Sequence, residues 1–318
     1  MVRALSTFTV LVLFFSFMTT SKARAEHDHQ LVRRLVVFPM TVPKGFEDAA
    51  EEAWWQARDE FTKSRRFLVA SKQFLIKSDV FQPRADLSPA DSIILGKLLD
   101  AHALVTFVLK DRELTMSVYD GGNGATLYRR TVGLHPSLTV GDQLGSLTRR
   151  VVNDFIASIP YQGFTVIDPL IGSPVYNEGS ARVARIDLGA TSEARIGDAV
   201  HWIRVSAIGA EPLFQGGGKI TVIAEGKIIK IENGIAVAEI VRASSLKSIK
   251  EYTLVRLPRE AERLRSTYAL ASTPQITLGP ELVAPEAAPM KALTRERQPL
   301  IATLSWVGSM AVFLLLAF

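Results

Sequence analysis

Residues 113–132 read ELTMSVYDGGNGATLYRRTV, and their pattern decides the fold of the first half of the chain. Apolar and polar side chains alternate from Glu113 to Tyr119, the period of a half-buried strand. The run then meets Gly121-Gly122-Asn123-Gly124, after which extended character resumes from Ala125 to Val132. Glycine and asparagine tolerate positive φ, so these four residues predict the turn of a β-hairpin.

Outward from the hairpin the pattern stays regular. On its amino-terminal side, Ala103–Leu109 predicts a strand, Pro89–Asp100 a helix and Phe67–Ala70 another strand. Leu35-Val36-Val37-Phe38-Pro39 is a short apolar run closed by proline, which reads as a buried strand. Residues 46–64 predict a helix, because Phe46, Ala50, Ala53, Trp54, Ala57 and Phe61 recur at spacings of three and four. Trp54 and Trp55 are neighbours and cannot both face a core. On the carboxy-terminal side, a helix from Val140 to Ile159 carries Val140, Leu144, Leu147, Val151 and Phe155 on one face. The order is β-α-β-α-β-β-β-α, an α/β sandwich with helices covering a sheet.

After Pro160-Tyr161-Gln162-Gly163 the pattern changes to short strands and glycines. Extended candidates are 164–167, 181–187, 199–205, 220–223, 227–231, 235–241 and 252–255, a spacing that predicts a small barrel or sandwich. Within RVARIDLGATSEARIGDAVHWIRV, Gly189 and Gly197 frame a tight connection, and Asp198 is placed to accept backbone amides in the turn. The chain is thus read as α+β: an α/β sandwich domain over 33–160 and an all-β, barrel-like domain over 163–257.

LVVFP, the helix ending before RFLVAS, DAHALVTFVL and the hairpin with YDGGNGATLYRR resemble the amino-terminal domain of TolB. They are also similar to envelope domains of the CsgG curli-secretion protein and of flagellar assembly protein T. The stretch around Gly189, Gly197 and Asp198 is similar to the carboxy-terminal barrel of flagellar assembly protein T. The resemblance implies a non-catalytic envelope protein that binds other envelope proteins, with a homo-oligomeric ring as one form of assembly. A terminal membrane helix departs from that pattern.

Such a helix is what the last residues predict. LIATLSWVGSMAVFLLLAF, 300–318, carries no charged side chain, and as a helix it would rise about 28 Å, close to the hydrocarbon thickness of a bilayer. The reading is a transmembrane anchor over 299–318; a buried core helix, or a tail packed on a partner, is the alternative. At the other end, Arg3, an apolar stretch from Ala4 to Met18 and Ala23-Arg24-Ala25 predict a signal peptide over 1–25. An uncleaved anchor would leave the body on the same side. The body is therefore expected in the periplasm of a bacterial cell envelope, held to the membrane by its tail. Lys291, Arg295 and Arg297 precede the tail, against the preference for basic residues on the cytoplasmic side. Residues 258–298 read as a proline-rich spacer, with a helix prolonged over 259–268 and an extended stretch over 272–298.

Composition narrows the chemistry. The 318 residues include no cysteine, which removes disulfides and thiol chemistry. Three of the 37 basic side chains, Arg3, Lys22 and Arg24, lie in 1–25, which leaves 34 basic against 32 acidic residues. That balance argues against a nucleic-acid surface, which would need a clustered excess of basic residues.

Motifs for catalysis are sparse. No G-x-S-x-G elbow is present. Gly216-Gly217-Gly218-Lys219 lacks the first glycine and the final Ser/Thr of a phosphate loop, and reads as a hairpin. His102, His135 and His201 are isolated, without metal-ligand spacing. Asp111, Asp120, Asp187 and Asp198 sit at strand ends or turns, where carboxylates serve the turn. Glu26-His27-Asp28-His29 has donors for a transition metal, although a solvated chain end explains it as well. No cofactor, metal site, catalytic residue or nucleic-acid partner is expected. Two function classes remain: an envelope-anchored module that scaffolds an assembly, related to the flagellar motor, and a hydrolase of envelope polymers with a dispersed site.

Overall fold

The computed structural model describes residues 28–189 and 192–271. The signal peptide expected at 1–25, the extended stretch expected over 272–298 and the anchor expected at 299–318 lie outside the described residues. Among the described residues, no helix is long and apolar enough to cross a membrane.

The first sheet has five strands. β1 (Arg34–Val37) lies parallel to β2 (Leu68–Val69) on one side and to β3 (Ala103–Lys110) on the other. β4 (Glu113–Asp120) and β5 (Thr126–Gly133) follow β3 antiparallel, so the order is β2-β1-β3-β4-β5. α1 (Glu47–Lys63) and α4 (Val140–Ser158) cover one face. α2 (Lys72–Lys77) and α3 (Pro89–Leu98) contribute to the core on the other. Strand alternation explains how β1 serves both: Leu35 and Val37 join the core under α1 and α4, Val36 and Phe38 the core under α2 and α3. α3 starts where its sequence says it should, with Ser88 and Asp91 forming a reciprocal capping box and Pro89 in the first turn.

The predicted elements reappear with boundaries shifted by a few residues, and one is added. α2 is six residues long and leaves Phe74 and Ile76 exposed, so its sequence carries no core-facing period.

The second sheet closes. β6 (Gly163–Val166), β8 (Ala181–Asp187), β11 (Ile235–Ala243), β10 (Gly218–Glu232), β9 (Ala199–Ala207) and β12 (Leu254–Arg256) pair in that order and back to β6. This six-stranded barrel resolves the choice between barrel and sandwich. β7 (Val175–Glu178), a strand the sequence did not announce, pairs with the start of β8 beside β6. The candidates at 220–223 and 227–231 form one strand, β10, bent by register shifts around Gly226 and Ile228. A Cβ at Gly226 would lie 2.1 Å from the Glu239 carbonyl oxygen, so glycine keeps the pairing possible. Trp202 fills the barrel among Ala184, Ala224, Ala236 and Ala238, and donates its indole N–H to Thr165 Oγ1 at 3.1 Å.

The two sheets share apolar core. On β9, Trp202 turns into the barrel while Ile203 and Val205 turn outward and join Phe164, Leu213 and Leu254 in the cluster that contains Phe61 and Phe155. The first fourteen residues of the expected spacer are helical: α5 (Pro258–Ala271) buries Glu260 and Ala261, and Tyr268 packs against the shared cluster.

Candidate functional site

The segment that enters β1 stitches the sheets together. Asp28 bridges to Ser206 on β9, and the His29 N–H donates to the Val205 carbonyl at 2.8 Å. From there the His29 ring turns inward. Its Nδ1 lies 3.2 Å from Asp120 Oδ2, and its Nε2 3.4 Å from the Tyr161 hydroxyl. Asp120 Oδ1 accepts the Gly122 and Asn123 N–H groups at 2.8 and 3.2 Å, and the Val32 N–H donates to the Tyr161 hydroxyl at 3.0 Å. A carboxylate can only accept, so Nδ1 is the donor to Asp120; in the neutral ring Nε2 is then an acceptor for the Tyr161 proton.

This row of carboxylate, imidazole and phenol is closed to solvent, the His29 side chain being 1% exposed. Burial pushes the Asp120 carboxyl up, but His29 and the two turn amides outweigh it and hold the group below its ordinary value. Burial raises the Tyr161 phenol far above its ordinary value. Every polar atom of the row is engaged within the fold, so its visible work is to join the hairpin turn, the entry segment and the link into β6.

Beside it opens a cleft of about 880 Å³, lined in part by His29, between the β1–β2 edge and the barrel. Its lining carries Arg33, Arg34, Arg204, Lys247 and Lys250 against Asp28 and Glu251. Two cations are neutralised: Arg34 pairs with Asp100, and Arg204 with Asp28 at 3.0 Å. Arg33 instead lies 5.1 Å over the Phe164 ring. His102 closes one end; its Nδ1 accepts the Arg33 N–H at 3.1 Å. Burial, and then the Arg34 charge, push the His102 imidazole below its ordinary value, so it adds no charge at neutral pH.

The expected turn residues fall in different places. Gly121, Gly122, Asn123 and Gly124 form the β4–β5 turn next to the Asp120 carboxylate. Gly189 donates its N–H to Asp187, and Asp198 accepts the Arg195 N–H and an Arg259 Nη1 contact from α5. Gly189 and Gly197 flank a connection between β8 and β9, strands that are not neighbours in the barrel. Gly216, Gly217 and Gly218 lie in the β9–β10 hairpin, where a Cβ at Gly217 would meet the Glu211 carbonyl at 2.0 Å. His135 and His201 lie outside the cleft lining, and His27 lies outside the described residues. Among the described residues no three His, Cys, Asp or Glu side chains converge as a metal site. Tyr161, in the inter-domain link, escaped the sequence reading because nothing local marks it.

No protein-family model matches the chain, and no curated protein does. Among solved structures, the PelC dodecamer from Paraburkholderia phytofirmans is similar over 41% of this chain and 91% of its own, at 11% identity and a TM-score of 0.28. The LpoB C-terminal domain from Escherichia coli matches 37% of this chain and 91% of its own, at 13% identity and a TM-score of 0.27. TolB from Acinetobacter baumannii matches 66% of this chain and 59% of its own, at 11% identity and a TM-score of 0.27. TolB is also a family that the sequence resembles. Likenesses this weak carry no argument about function.

Proposed function

We propose that this protein is a non-catalytic interaction module of the bacterial cell envelope, exported by residues 1–25 and anchored by residues 299–318. It scaffolds or stabilises an assembly there, and the resemblance to flagellar assembly protein T makes one related to the flagellar motor the candidate. One observation carries the binding reading. The cleft between the sheets is an open, basic groove whose charges are only partly neutralised, while the buried acid–imidazole–phenol row beside it is spent on joining the sheets. A groove of this kind offers contact surface and charge to a partner.

Protease added to spheroplasts tests the location: the body over 26–298 should be digested, and deletion of 299–318 should release it as soluble protein. A body protected from protease overturns the location. The enzymatic alternative, a hydrolase of envelope polymers, predicts something different. Under it, one carboxylate or histidine substitution abolishes function with folding and complex formation intact.

A further inference from the structure

We propose that the seam cleft binds an extended acidic segment of a partner protein, with Tyr252 as its apolar platform and Arg33, Lys247 and Lys250 as its charge contacts. This rests on the reading of the protein as an interaction module and names the partner chemistry of that site.

Charge gives the first argument. With Arg34 held by Asp100 and Arg204 by Asp28, the cations of the lining without an acidic partner among the described residues are Arg33, Lys247 and Lys250. Glu251 is the one acidic side chain set against them in the lining. A groove with surplus positive charge selects an anionic occupant and speeds its arrival.

Backbone strain gives the second. Tyr252 has φ of 62°, a conformation that a bulky L residue rarely adopts, and the residue is 53% exposed in the cleft lining. Its N–H donates to the Thr165 carbonyl at 2.8 Å, and the Lys250 N–H donates to Thr253 Oγ1 at 2.8 Å, so the turn is held in place. The Tyr252 ring lies 5.9 Å from the Phe164 ring, which in turn carries the Arg33 guanidinium. Cation, buried ring and exposed ring form one row whose two ends, Arg33 and Tyr252, line the cleft.

The rest of the lining favours a polypeptide over an anionic glycan. Leu68, 59% exposed, lies on β2, the edge strand of its sheet, and Ile223 faces it from the barrel side of the cleft. Apolar contacts beside a sheet edge suit the alternating side chains of an extended peptide.

The test uses the full chain in detergent and a fluorescein-labelled decapeptide of alternating glutamate and leucine, read by anisotropy. Controls are the alternating lysine–leucine peptide and polygalacturonate. The glutamate peptide should bind, more weakly as salt rises, and its Kd should increase at least tenfold in the Lys247→Glu/Lys250→Glu variant. Tyr252→Gly should also weaken binding severalfold. Glycine accepts the left-handed backbone, so that variant's melting temperature should hold or rise, which separates lost contact from lost fold. No binding of the glutamate peptide, equal binding of the lysine peptide, binding of polygalacturonate in its place, or binding untouched by both variants would overturn the proposal. Failure of the peptide with partners still recovered from membranes would remove the cleft assignment alone. Recovery of no partner at all would remove the interaction-module reading on which it rests.

Discussion

At Gly121 an added Cβ would lie 2.1 Å from the Ala101 carbonyl oxygen and 3.1 Å from the Gly96 Cα, with backbone on both sides that cannot yield. Gly121→Ala is therefore expected to cost about 1–3 kcal/mol by overpacking. Gly122→Ala, whose Cβ would meet only Asp120 Oδ1 at 3.2 Å, should cost less than about 1 kcal/mol. Urea denaturation of the two variants checks the order. In the sequence, both glycines read as interchangeable turn formers. Their difference lies in contact with Gly96 and Ala101, which no turn pattern encodes. His102 carries a second prediction at this scale. Its imidazole is held below the ordinary value of 6.5, so the unfolded chain takes up its proton first as pH falls. Stability from this group is complete above 6.5 and is lost as pH drops toward the lowered value. His102→Gln, which keeps an acceptor for the Arg33 amide, should flatten the stability profile between pH 7 and 5. Equal slopes in both proteins would contradict the assignment.

Among the elements, α1 shows how far periodicity reaches. Its spacing places Trp54 with Ala50, Ala57 and Phe61, and the structure buries Trp54 to 1% exposure while leaving Trp55 at 47%. Trp54 also donates its indole N–H to the Val37 carbonyl at 3.0 Å. Trp54→Ala should cost about 3–5 kcal/mol, and Trp55→Ala less than about 1 kcal/mol, in thermal or urea unfolding. Comparable losses from both would mean that the helix is rotated from its place here. Elements that obey a period were legible in this way. Those that escaped are short or irregular: α2, with two exposed apolar residues in six, and β7, which pairs only four residues with the start of β8. β10 looked like two strands because its glycine-centred irregularity resembles a turn, whereas pairing on both sides carries it through as one bent strand.

Across the whole molecule, the change of pattern at 160–163 marks where the chain passes from one sheet to the other. The shared core is invisible there, because Ile203, Val205 and Leu254 look like ordinary strand residues until the barrel closes beside Phe61 and Phe155. Since that cluster belongs to both sheets, thermal unfolding of the full chain should show one cooperative transition of the body; two separate transitions would mean that the shared cluster contributes little. The buried row was hidden for a similar reason. His29 lies 91 positions from Asp120 and 132 from Tyr161, and each is unremarkable in its own stretch. Asp120 was read as a turn residue, and its Oδ1 does serve the turn; its Oδ2 serves the seam. The basic cleft follows from the same assembly, since Arg33, Lys247 and Lys250 converge only once the barrel sits beside the β1 edge. The central claim, binding in the envelope without catalysis, is tested most directly by quantitative co-purification of the full chain from detergent-solubilised membranes. Wild-type protein is predicted to recover a reproducible set of envelope proteins in defined proportion, and Lys247→Glu/Lys250→Glu to lose them while folding normally and staying membrane-bound. Recovery of no partner, or of the same partners at undiminished yield with the variant, would contradict the account.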